Sequence, residues 1–128
     1  MTAPENAGRL EQLVADQTAP IRAVHERLHA LLHELMPEAV ETVDLPDRVL
    51  AFGATERMRD LWFALIAHRA HVNVQLADGV DLVDPAGLVE GTGKRIRHVK
   101  CCTPEDVARA ELRALLAEQA RLRRPGGH

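Results

Sequence analysis

Leu61-Trp62-Phe63-Ala64-Leu65-Ile66-Ala67-His68-Arg69-Ala70-His71-Val72-Asn73-Val74-Gln75-Leu76 is the stretch that decides the fold. Its first seven residues are an unbroken apolar run rich in strand formers, the signature of a central strand. The run is far too short to cross a bilayer. His68, Arg69 and Ala70 suit a hairpin loop. Val72, Val74 and Leu76 then alternate with His71, Asn73 and Gln75, which marks a half-buried strand. An antiparallel sheet with one covered face and one open face follows from that alternation.

Working outward, the flanks read as helices. Residues 1–8 look like a loose tail, and Arg9 to Asp16 suit a short helix in which Leu10, Leu13 and Val14 share a face. Thr18 is placed to cap the next helix, with Pro20 in its first turn. Ile21, Val24, Leu28, Leu31, Leu32 and Leu35 form an apolar stripe at helical spacing, and Pro37 ends it. Val49 to Phe52 is a short apolar run before Gly53. Asp78-Gly79 signals a turn, and Asp84-Pro85 opens a turn or short helical piece through Val89. Arg95 to Cys102 reads as a further strand. Thr103, with Pro104 behind it and Asp106 as the capping-box acid, starts a final helix carrying Val107, Ala108, Leu112, Leu115 and Leu122 on one side. Arg121, Arg123 and Arg124 sit near its end, as the helix dipole favours, and Pro125 stops it. The predicted order is helices, three antiparallel strands, a turn-rich insert, a strand and a helix. That is an α+β fold with helices mainly on one sheet face. One domain over residues 9–124 is expected, with a short tail at 125–128.

At 128 residues the chain has the size of one domain that folds without staples. A net charge of −3 argues against a general nucleic-acid binder, and the absence of Tyr removes stacking platforms. Cys101 and Cys102 are adjacent and have no other cysteine to pair with, so reduced thiols are expected. Met1 to Gly8 lacks an apolar signal core. The expectation is a cytoplasmic protein without a membrane segment.

Four constellations are candidates for chemistry. Gly91-Thr92-Gly93-Lys94 is not a phosphate-binding P-loop, because Leu88 stands where that motif needs Gly and a strand follows instead of a helix. Its glycines can still turn backbone N–H groups toward one anion, with Lys94, Arg95, Arg97 and Lys100 nearby. His71, Asn73 and Gln75 form a polar row on one strand face, and His98 and Lys100 can line the same face of a neighbouring strand. The alternation sets Arg97 and Val99 on the opposite side. His25-Glu26-Arg27-Leu28-His29 matches the zinc-hydrolase helix motif, with His33 one turn further. All three histidines flank the apolar stripe, where half-buried structural imidazoles are common. Cys101 and Cys102 stand beside basic residues but lack a placed base, so buried inert thiols are expected.

From Gly87 onward the chain resembles the YdhG-like family of small bacterial domains of unknown function. Carrying the resemblance are Asp84-Pro85-Ala86-Gly87-Leu88-Val89-Glu90-Gly91-Thr92-Gly93-Lys94, Arg97-His98-Val99-Lys100 and Thr103-Pro104-Glu105-Asp106-Val107. It extends over about Pro20 to Leu122 and is weaker in the first half. Family members often have a Trp-Gly-Met-Pro-like stretch and tyrosines where this chain has Ala51-Phe52-Gly53-Ala54. The resemblance implies a compact α+β domain with no established reaction. Some members carry an iron-chaperone label, yet this chain has no acidic ridge suited to a hard cation. The resulting expectation leans away from an enzyme and requires no cofactor. It is a domain binding a small anionic or polar ligand, or a protein partner, through Gly91, Gly93, Lys94, His98, Lys100, His71, Asn73 and Gln75. The alternatives are a zinc-dependent hydrolase on His25, Glu26 and His29, and a structural homodimer.

Overall fold

The computed structural model describes residues 4–123. In chain order the elements are α1 (Pro4–Val14), α2 (Ala19–Leu35), β1 (Val40–Asp44), β2 (Val49–Gly53), β3 (Leu61–Ala67), β4 (Val72–Leu76), β5 (Arg97–Cys101), α3 (Pro104–Val107) and α4 (Ala110–Arg123). The strands form a single antiparallel meander in the order β1-β2-β3-β4-β5. The apolar run Leu61–Ala67 is the middle strand, as its composition requires, and the hairpin to β4 closes through His68 N–H donating to the His71 carbonyl at 2.7 Å.

One sheet face carries Leu50, Phe52, Phe63, Leu65, Val72, Val74, Leu76, Val99 and Cys101, all buried. The apolar stripe of α2 packs on β3 and β4, and α4 adds Leu112, Leu115, Leu116 and Ala120 to the same core. This is the α+β arrangement expected, with helices on one face. Removing so much apolar surface from water is the main stabilising term.

Four local expectations need correction. The first helix begins at Pro4, inside the stretch read as a loose tail, while residues 1–3 and 124–128 lie outside the described residues. Strand β1, Val40–Asp44, was not anticipated, because one of its two core-facing positions is the carboxylate Glu41. Thr18 occupies the cap position of α2, but its hydroxyl makes no capping bond. The final helix breaks at Ala108–Arg109 into a single turn, α3, and the longer α4. Its capping box is nevertheless formed: Asp106 N–H donates to Thr103 Oγ1, and Asp106 Oδ2 accepts from Thr103 N–H.

The insert between β4 and β5 is built on turn chemistry. Asp84 accepts from the N–H groups of Leu88 and Val89 at 2.9 and 2.8 Å, and Gly87 takes the left-handed φ of 69° that closes the turn. No helix forms between Asp84 and Val89. Glu90 consequently lies along β5 and exchanges two backbone hydrogen bonds with His98. Gly79 is required for packing, since a Cβ there would sit 2.4 Å from Arg97 Cβ.

Asp78 locks this insert to α4. Its carboxylate accepts from both Nε and Nη2 of Arg123, from Gln119 Nε2 at 2.8 Å and from Arg95 Nη2 at 2.8 Å. Its own N–H donates to Gln119 Oε1 at 2.7 Å. The Arg123 hydrogen bonds, aided by Gln119 and Arg95, outweigh burial and lower the Asp78 pKa from 3.8 to about 2.

Candidate functional site

Among the described residues no α-helix packs on the sheet face opposite α2 and α4, and β4 and β5 assemble polar side chains on it. Register sets Asn73 opposite Lys100 and Gln75 opposite His98. Directly opposed side chains on one face lie roughly 5 Å apart at Cβ, so these four form a compact block. His71 extends it at the hairpin end. The structure thus brings together five of the eight residues expected to bind.

Two residues not anticipated complete the cluster. The four-residue loop folds His68 back so that its ring stacks on His71, with centroids 4.7 Å apart, and its Nε2 lies 3.2 Å from Asn73 Nδ2. Glu90, carried in by its bridge to His98, sits 3.8 Å from Lys100 Nζ. His68 was legible in part, because two histidines three apart across a hairpin loop are placed to meet. Glu90 gave no such signal.

The electrostatics of the cluster are lopsided. The His71 pKa is lowered from its usual value by burial first, then by His68, Lys100 and His98, with Glu90 alone opposing. One carboxylate therefore faces a lysine and three imidazoles. Asn73 Oδ1 is buried and has no hydrogen-bond partner among the described residues. Chemically the block can donate to an anion from Lys100 and the imidazoles.

The glycine loop behaves differently from the expected anion nest. Gly91 has a left-handed φ of 112° and packs against the His98 ring, which places it beside the cluster. At Gly93 the carbonyl, rather than the N–H, is engaged: it accepts from Arg97 Nε at 2.6 Å. A cation already fills the turn. Gly93 is needed because a Cβ would meet the Ile96 carbonyl oxygen at 2.5 Å. Lys94 is exposed in this loop.

Toward β1 the open face becomes apolar. A concavity of about 330 Å³ is floored by Val49, Ala51, Ala64 and Ile66, is overhung by Met58 and is bounded by Gln75 on the β4 side.

No family model, curated protein or solved structure matches the chain.

The histidine motif on α2 is not assembled as a metal centre. His25 is only 2 % exposed, within the core, and not half-buried as expected. Burial, with His29 second, lowers its pKa to about 4, so it is neutral at pH 7. Glu26 faces solvent. His29 and His33 instead reach the buried Glu41, at 2.8 and 3.5 Å, and His29 packs edge-on against Phe52. Among the described residues no group of three or more His, Cys, Asp or Glu side chains is arranged to hold a metal ion. The cysteines separate likewise. Cys101 is buried, and burial followed by Asp106 pushes its thiol up to about 12, whereas Cys102 is exposed. No described helix is long and apolar enough to cross a membrane.

Proposed function

We propose that this chain is a YdhG-like, non-enzymatic domain that binds a small anionic or polar ligand on its open sheet face. The ligand would rest on His71, Asn73, Gln75, His98 and Lys100, with His68 and Gly91 at the margins. One observation carries the reading: Lys100 and three histidines converge with Asn73 and Gln75 on one patch of the open face. Such a block favours an anion. The motif residues Asp84, Gly87 and Glu90 support the reading by delivering Glu90 and Gly91 to the edge of the block. Lys94 and Gly93 are left out of the ligand set. Titration of the isotope-labelled chain with phosphate and with acetate, followed by amide and imidazole NMR shifts, tests the proposal. Saturable shifts confined to Asn73, Gln75, His71, His98 and Lys100 are expected. Shifts absent from these residues, or spread equally over exposed arginines elsewhere, would overturn it.

A further inference from the structure

The open face has two chemically distinct halves. Ile66, Asn73 and Lys100 follow one another across β3, β4 and β5 in one row, and Ala64, Gln75 and His98 in the next. Each strand step is about 4.8 Å, so the apolar floor on β3 lies roughly 10 Å from His98 and Lys100 on β5. That floor is the concavity of about 330 Å³ over Val49, Ala51, Ala64 and Ile66. Asp44 and Asp47 line it at the β1–β2 turn, and Glu56 and Arg57 line it at the loop that follows β2. Asp44 and Asp47 repel an anion at the β1–β2 turn, while Lys100 attracts one at the β5 end, where the His98 and His71 rings offer N–H donors and Glu90 offsets part of the charge. Gln75 lines the concavity and pairs with His98, so the two halves are continuous.

From this layout we infer that the ligand is a small amphipathic carboxylate. Its apolar tail lies over Ala51, Ala64 and Ile66, and its carboxylate meets His98 and Lys100. This rests on the ligand reading under Proposed function and specifies the chemical class. Burying a tail there removes apolar surface of both partners from water, and the carboxylate gains charge-assisted hydrogen bonds.

Parallel NMR titrations of the full chain with octanoate, octanol and acetate test the assignment. Octanoate is expected to shift Ala51, Ala64 and Ile66 together with His98 and Lys100, and to bind about tenfold more tightly than either control. Lys100→Gln is expected to reduce octanoate to the level of octanol. Acetate binding at His98 and Lys100 as tightly as octanoate would leave the small-anion reading intact and overturn this one. Octanol matching octanoate would overturn it from the other side. If the same residues shift with protein concentration alone, the face is occupied by a second copy and the assignment fails. Silence of the whole face to all three probes would overturn this assignment, and silence to phosphate as well would remove both readings.

Discussion

Asp78→Asn isolates the charge that ties the insert to α4. The Asp78 side chain is 8 % exposed and accepts from Arg123, Gln119 and Arg95. These donors hold its pKa near 2, against an ordinary 3.8. A tenfold change in proton affinity corresponds to roughly 1.4 kcal/mol, so the ionised carboxylate contributes between about 2 and 3 kcal/mol at neutral pH. Because the folded pKa lies below the unfolded one, this stability is present above pH 3.8 and is lost as the pH falls toward 2. Asparagine keeps the shape but removes the charge and turns an N–H₂ toward existing donors. Urea unfolding at pH 7 is expected to show a loss of at least about 2 kcal/mol for the variant. The gap to the parent chain should shrink as the pH is lowered from 4 to 2. Arg123→Ala should reproduce most of the loss, and the double variant should lose less than the two singles together. A loss under about 0.5 kcal/mol at pH 7, typical of an uninvolved surface site, would refute the role given to this charge. An equal deficit at pH 7 and pH 2 would do the same.

Two further outcomes follow from buried groups. His25 must stay neutral to remain in the core, and its pKa falls from 6.5 to about 4, so the unfolded chain takes up the proton first. Stability should therefore drop by about 3 kcal/mol between pH 6.5 and pH 4, and His25→Leu should flatten that slope in chemical unfolding measured across the same window. Gly79→Ala places a Cβ 2.4 Å from Arg97 Cβ, against a paired strand that has little room to move. A cost of about 1 to 3 kcal/mol is expected in thermal unfolding, whereas Gly8→Ala, with nothing within 4 Å, should cost far less.

Much of the fold was readable because its signals are local. The run Leu61–Ala67, the alternation of Val72–Leu76 and the Thr103–Asp106 capping box each depend on neighbours a few residues away. Strand β1 was not readable, because Glu41 stands at a core-facing position and its partner His29 lies 12 residues distant on α2. Only tertiary packing makes a carboxylate acceptable there. Asp78 was legible as a turn residue but not as a hub, since Arg123 lies 45 residues away. Within the site, strand alternation correctly separated Arg97 from His98 and Lys100. Composition misled at Gly93 and Lys94, where a basic glycine loop looked like an anion nest. Its turn is already filled by the chain's own Arg97.

The His71 titration curve is the most direct test of a ligand site on the open face. Burial first, and then His68, Lys100 and His98 with only Glu90 opposing, lower the pKa of its imidazole. Following the ring protons by NMR should give a midpoint below the usual histidine value in the free chain, and a clear upward move when phosphate or a carboxylate saturates the face. A midpoint that is unaffected by either anion would contradict the proposal that this face is where the protein binds its ligand.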